Sequence, residues 1–181
     1  VDLTGRLYPG VRTLKDAVAR DLPAEAAAFA AARAPAYQPS DVTLLPVIPD
    51  PGKILCVGVN YEMHRAETRR TATGHPTIFT RFADTLVAHE AAMVKPSVSD
   101  RFDFEGALAV IIGRGGRGIA EGAAMDHVAG VAPLNDGSVR DFQRHTSQFT
   151  PGKNFPATCG FGPAMVTLDE IGDVTALPIE T

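Results

Sequence analysis

Seven consecutive uncharged residues, Gly106-Ala107-Leu108-Ala109-Val110-Ile111-Ile112, follow directly on Asp103-Phe104-Glu105 and end at Gly113. The run has the length and the branched side chains of a buried strand. Side chains alternate faces along a strand, so Asp103, Glu105 and Ala107 are expected on the same face. Burying an ionised carboxylate is costly unless it is paired or holds a metal. Two acids on one strand, with Asn135-Asp136 on a later segment, therefore point to a divalent-cation site. The third position on that face is Ala107, whose methyl group offers no ligand.

At 181 residues the chain can bury one good core, with room for a small appendage. A hydrophobic share of 45% against 21% charged residues describes a globular chain rather than a disordered one. The net charge of −4 argues against a general binder of phosphate backbones. Arg65, Arg69 and Arg70 lack the aromatic interleaving of single-strand binders and read as a solvated face. No apolar run approaches membrane-spanning length. Neither nucleic acid nor membrane is therefore an expected partner. Cys56, inside Lys53-Ile54-Leu55-Cys56-Val57, reads as a small core residue, and Cys159 is the second of only two cysteines. Without a disulfide framework or a signal-peptide pattern, the expected compartment is the cytoplasm. The start at Val1 and the stop at Thr181, just past Ala176-Leu177-Pro178-Ile179, lead us to expect that both ends are cut.

Residues 1 to 36 are Ala-rich with helical periodicity; Leu14, Ala17 and Val18 form one apolar face, and Glu25 to Arg33 a second short helix. Pro35, Pro39, Pro46, Pro49 and Pro51 then mark an extended linker, because proline resists both helix and central strand. Strands are expected at Ile54 to Val59, Thr77 to Arg81, around Leu86-Val87, and at Ala91 to Val94. Further strands are expected at Phe104 to Ile112, Gly130 to Leu134 and Ala164 to Leu168. Asn60 to Arg70 reads as a helix or loop, and Ala120 to Val128 as a short helix with Gly130 just beyond it. The order predicts a β-rich α+β domain with few helices rather than a βαβ alternation.

The polar groups cluster. The first strand runs into Asn60-Tyr61-Glu62-Met63-His64-Arg65-Ala66-Glu67; on a helix, His64 and Glu67 would share a face, where a carboxylate orients an imidazole for proton transfer. Asn135-Asp136-Gly137-Ser138-Val139-Arg140-Asp141-Phe142-Gln143 follows an apolar strand, and Phe149-Thr150-Pro151-Gly152-Lys153-Asn154-Phe155 comes soon after. Each alone reads as an ordinary loop or surface ion pair.

Together, and in this order, they resemble the fumarylacetoacetate hydrolase family. Lys53 to Tyr61 with His64 and Glu67, Asp103 to Gly113, Asn135 to Asp141 with Gln143, and Gly152 to Phe155 with Phe161-Gly162-Pro163 are similar to four family motifs. The resemblance covers about residues 41 to 175 and implies a mixed β-roll with few short helices, here lacking its C-terminal strands. It assigns residues 41–181 to an incomplete catalytic domain, and 1–40 to a helical region and linker that suits the end of a small N-terminal domain. Glu105 and Asp136 fall on ligand positions for Mg2+ or Mn2+. His64 and Glu67 match an acid/base dyad on a lid, and Lys153 a lysine that stabilises developing negative charge. Tyr61, Arg140 and Gln143 match polar residues near the substrate. The implied substrate is a small 2-oxo or 1,3-dioxo acid, and the implied assembly a homodimer. The implied reaction is metal-dependent hydrolysis of a C–C bond in an acylpyruvate or related acid. Oxaloacetate-type decarboxylation, isomerisation or hydration on the same scaffold are alternatives, as is a non-catalytic member.

Three features depart from the family pattern. Ala107 replaces the second metal glutamate, so weak magnesium binding is expected. Val131 stands in place of a tyrosine. The strands that would follow Ile179 are absent, so we expect a fragment or an oligomer that covers the open edge. A rival reading starts from Gly113-Arg114-Gly115-Gly116-Arg117-Gly118, a G-x-G-x-x-G after a strand with Asp136 downstream, as in dinucleotide-binding oxidoreductases. Of the remaining histidines, His127 reads as packed or surface, and His145, near Gln143, as a residue that could line the pocket.

Overall fold

The computed structural model describes residues 2–59 and 75–181. The stretch from Asn60 to Arg70, read above as helix or loop, lies outside the described residues.

The first helix, α1 (Leu14–Ala19), starts where a side chain satisfies its free amides. Thr13 Oγ1 accepts from Asp16 N at 3.1 Å, while Asp16 Oδ2 accepts from Thr13 N at 3.0 Å. This reciprocal cap fixes the end of a helix too short to be stable alone. Helix α2 (Pro23–Ala31) opens on a proline, which lacks the amide that would be unsatisfied there. The proline-punctuated segment, expected to be extended throughout, is interrupted by a 3-10 helix at Pro39–Asp41 before it buries Val47 and Ile48.

Alternation governs the strands. β1 (Ile54–Gly58) pairs antiparallel with β2 (Thr77–Arg81), matching Ile54 with Arg81 and Gly58 with Thr77. Phe79 and Arg81 point inward, whereas Leu55, Val57 and Ile78 are exposed. The main sheet has the order β3-β8-β6-β5, where β3 is Leu86–Val87, β5 Gly106–Ile112, β6 Val128–Asn135 and β8 Cys159–Phe161. Only β3 and β8 run parallel. The core on this sheet joins Val18 of α1 with Val47, Ile48, Ile111, Ala132 and Phe161. Each of the Val, Ile and Phe side chains among them contributes roughly 1.5–3 kcal/mol on full burial.

A third ladder positions the site. β4 (Phe102–Asp103) pairs with β7 (Ser138–Val139), two residues before β5 begins and two after β6 ends. The chain therefore crosses between ladders at Phe104-Glu105 and again at Asp136-Gly137. The crossings are tied together: Asp136 N donates to Glu105 O at 2.8 Å, and Glu105 N to Asn135 Oδ1 at 3.1 Å.

The strands expected at Thr77 to Arg81 and Leu86-Val87 are present, and the expected β-rich mixed fold with few helices is observed. Phe104 to Ile112 is shortened by the crossing. Ala91 to Val94 forms no strand and ties to the fold by a bond from Val94 N to Ala157 O of 2.8 Å. Ala164 to Leu168 reduces to a two-bond bridge between Val131 and Val166, after which α5 (Leu168–Ile171) begins. Val131 is buried at this bridge. The glycine-rich stretch leads from β5 to a 3-10 helix (Glu121–His127) and back along antiparallel β6. A dinucleotide fingerprint requires a parallel βαβ crossover, so that rival is excluded. Among the described residues no helix is long and apolar enough to cross a membrane.

Gly137 is held by close backbone contact at the second crossing. A Cβ there would stand 2.3 Å from Thr158 O and 2.4 Å from Met93 Cε. Gly137→Ala should lower stability by about 1–3 kcal/mol, the usual cost of overpacking. Urea denaturation checks this; an unchanged midpoint would show that the crossing has slack.

Candidate active site

The crossings place two carboxylates side by side, and three cations converge on them from other elements. Helix α3 (Arg140–Gln143) follows β7 directly and presents Arg140 to the first crossing. Helix α4 (Thr150–Lys153) presents Lys153 from its last turn. The two helices meet at Gly152, where a Cβ would lie 2.4 Å from Gln143 N, so a side chain here would push Lys153 away. Asn154 fastens this segment to β2: its side chain donates to Thr80 O at 2.9 Å and accepts from Phe82 N at 2.8 Å. β2 in turn supplies Arg81.

The result is an alternating chain of charges. Asp103 Oδ2 receives Arg140 Nη2 at 2.8 Å, and Arg140 Nη1 binds Glu105 Oε1. Lys153 Nζ lies 2.7 Å from Glu105 Oε2 and 2.6 Å from Asp136 Oδ2, and Arg81 Nη1 lies 2.5 Å from Asp136 Oδ1. Side-chain exposure is 0% for Arg81, 1% for Lys153 and 8% for Asp136, against 26% for Glu105, 22% for Arg140 and 49% for Asp103. Among the described residues, the Arg81–Asp136 end is thus sealed in the core and the Glu105–Arg140 end is exposed, with Lys153 between the two. Arg140 Nη1 also donates to Gln143 Oε1 at 3.1 Å.

Of the residues chosen from sequence, Glu105, Asp136, Arg140, Gln143 and Lys153 come together here. Tyr61, His64 and Glu67 lie outside the described residues. Asp103 shares Arg140 with Glu105 instead of joining Asp136. His145 packs its ring, tilted, against Phe142 with centroids 4.6 Å apart. Arg81 escaped the sequence reading, although a signal existed. It falls two residues after Phe79 in a strand, so it faces the same buried side and must meet an acid there. Arg81 also donates to Gly137 O and Thr158 Oγ1, both at 3.0 Å.

A divalent cation does not fit the donor set that the described residues offer. Such an ion needs about six oxygens, from several carboxylates, carbonyls or waters. Here Glu105 and Asp136 offer four carboxylate oxygens, and each already receives a cationic side chain. Ala107 is in register opposite Leu134 and supplies no donor. No group of three His, Cys, Asp or Glu suited to a metal occurs among the described residues.

The thiols are not nucleophiles in this setting. Burial, then the charge of Asp136, pushes Cys56 up to about 12; burial pushes Cys159 up to about 11. For Glu105, burial acts upward, but the Lys153 ammonium and its hydrogen bond, then Arg140, outweigh it. The carboxyl is held below its ordinary value of 4.5. A depressed carboxyl stabilises the fold above its unfolded value and loses that contribution as pH falls through the folded one. Urea midpoints should therefore drop as pH falls below 4.5, and Glu105→Gln should flatten that decline while lowering stability at neutral pH. An identical acid decline in the variant would remove Glu105 from the account.

Residues 53–181 match the family described as fumarylacetoacetate (FAA) hydrolase, C-terminal. A human mitochondrial oxaloacetate tautomerase is 40% identical over 151 residues, covering 82% of this chain and 48% of the relative. An oxaloacetate tautomerase of Bacillus subtilis is 38% identical over 149 residues, or 80% and 50% of the two chains. Among solved structures, 2-hydroxyhepta-2,4-diene-1,7-dioate isomerase from Mycobacterium marinum aligns with a TM-score of 0.63 at 31% identity, over 72% of this chain and 48% of that one. Fumarylacetoacetate hydrolase from psychrophilic Exiguobacterium antarcticum aligns with a TM-score of 0.70 at 29% identity, over 93% and 59%. The chain spans about half the length of the curated relatives it matches. With the mixed β fold and the convergence of Glu105, Asp136, Arg140, Gln143 and Lys153, the match over residues 53–181 makes this chain a member of the fumarylacetoacetate hydrolase family.

Proposed function

We propose that this chain belongs to an enzyme that moves a proton beside the carbonyl of a small 2-oxo acid, with keto–enol tautomerisation of an oxaloacetate-like dicarboxylate as its reaction. The observation that carries this reading is the placement of Lys153 Nζ and the Arg140 guanidinium on the two oxygens of one partly open carboxylate, Glu105. Enolisation places negative charge on the carbonyl oxygen. A buried ammonium held in position stabilises that charge without reorganising at the moment of reaction. Arg140, steadied by Gln143, offers the planar fork that grips a carboxylate. An incoming acid competes with Asp103 and Glu105 for that fork. The proton itself falls to His64 and Glu67 in this proposal, on the strength of their motif. The oxaloacetate tautomerases among the relatives support this choice of reaction.

Hydrolysis of a C–C bond in an acylpyruvate is the second reading. Water there attacks the acyl carbonyl and the C–C bond then breaks, releasing pyruvate as an enolate that Lys153 would stabilise in the same way, and the likeness to a fumarylacetoacetate hydrolase favours it. Ultraviolet absorbance separates the two. Enol-oxaloacetate should lose its absorbance faster with the protein than in buffer, while acylpyruvates persist. Lys153→Gln should cut kcat about 10²–10³-fold, the usual cost of one such stabilising group. Arg140→Gln should mainly raise KM. Acylpyruvate cleavage without tautomerisation would favour the second reading, and no acceleration of either reaction would overturn both.

A further inference from the structure

We infer that the ammonium of Lys153 occupies the role of a divalent cation in this chain, closing the gap between Glu105 and Asp136 so that the site is complete without metal. This inference concerns what holds the site together and is independent of the reaction proposed above.

Three observations carry it. First, the backbone for a third carboxylate is intact, since Ala107 keeps its place opposite Leu134, one step from the Gly106–Asn135 pair at the crossing. Only the side chain is missing. Second, Lys153 bridges the two remaining carboxylates as a cation would, one oxygen of each within 2.7 Å of Nζ, with Asp136 O at 3.4 Å. The other two carboxylate oxygens belong to Arg140 and Arg81. Third, the charges cancel: Arg81, Lys153 and Arg140 face Asp103, Glu105 and Asp136. Among the described residues no buried side-chain nitrogen or oxygen lacks a partner.

A metal ion entering here would have to expel the ammonium or share two carboxylates with it. Lys153 is almost completely buried, and its Nζ lies 5.0 Å from the centroid of the Phe79 ring, whose face attracts the ammonium and adds to the cost of expelling it. Moving a buried charge away from its partners is costly, and placing a dication beside an ammonium adds repulsion. A glutamate at position 107 changes the balance by adding a negative charge and a donor pair.

The test is manganese binding by the chelator-stripped chain, followed by electron paramagnetic resonance, with thermal melting in MnCl2 and in EDTA. The wild type should show no saturable binding and the same Tm in both solutions. Ala107→Glu, which keeps Lys153, should gain saturable binding at least about tenfold tighter, because losing even an outer partner of a metal site typically costs ~10–100-fold in affinity. Lys153→Met should melt earlier and recover part of the loss in MnCl2, since the metal then replaces the missing ammonium. Saturable wild-type binding as tight as that of Ala107→Glu would overturn the inference, as would a folded Lys153→Met whose Tm ignores manganese. If Lys153→Met fails to fold, the comparison with Ala107→Glu decides alone. None of these readouts depends on turnover, so a failed activity assay would leave this result standing.

Discussion

A single line of alternating charges, Asp103, Arg140, Glu105, Lys153, Asp136 and Arg81, joins nearly every element around the site. β4 contributes the first acid, the two crossings contribute Glu105 and Asp136, and α3, α4 and β2 each contribute one cation. Breaking a buried ion pair strands its partner, which typically costs about 3–5 kcal/mol, whereas an exposed pair contributes little. The buried end therefore fixes how β2, α4 and the second crossing sit together. The open end, at Glu105 and Arg140, can exchange partners with a ligand. Gly137 and Gly152 serve the same arrangement, since each permits a backbone contact without which the charges would not meet.

Much of the fold was legible because burial on one face leaves a period of two. Thr77 to Arg81 and Leu86-Val87 were read as strands and are strands. The crossing at Phe104-Glu105 was not legible. The alternation of side chains runs straight through it, while the hydrogen bonds change partners there, and sequence periodicity reports only the first. Ala91 to Val94 is apolar but has no neighbouring strand among the described residues to complete a ladder. Asp136 and Arg81 are 55 positions apart, so their pairing depends on topology rather than on local pattern. Phase within β2 nevertheless placed Arg81 on the buried face.

The family scaffold supports several reactions among the relatives, so chemistry has to be argued from the side chains at the site. In this chain the side chains depart from the expected metal centre in one place, Ala107, and the surrounding charges are consistent with that departure. Three acids and three cations make a neutral unit, and without Lys153 the acids would outnumber the cations in a mostly buried setting. The two thiols, both held protonated, contribute packing rather than chemistry.

The central claim is that Lys153 is needed because Glu105 and Asp136 are charged. A mutational cycle in urea denaturation is the sharpest test, comparing Lys153→Met alone, Glu105→Gln alone and the two combined, since Asp136 must stay charged to pair with the buried Arg81. Strong coupling is expected, with the combined variant recovering at least about 1 kcal/mol of what the lysine change alone costs, because Asp136 keeps Arg81, Asp103 keeps Arg140 and the remaining charges balance. Losses that simply add would contradict it, and would mean that Lys153 holds the site by packing rather than by charge.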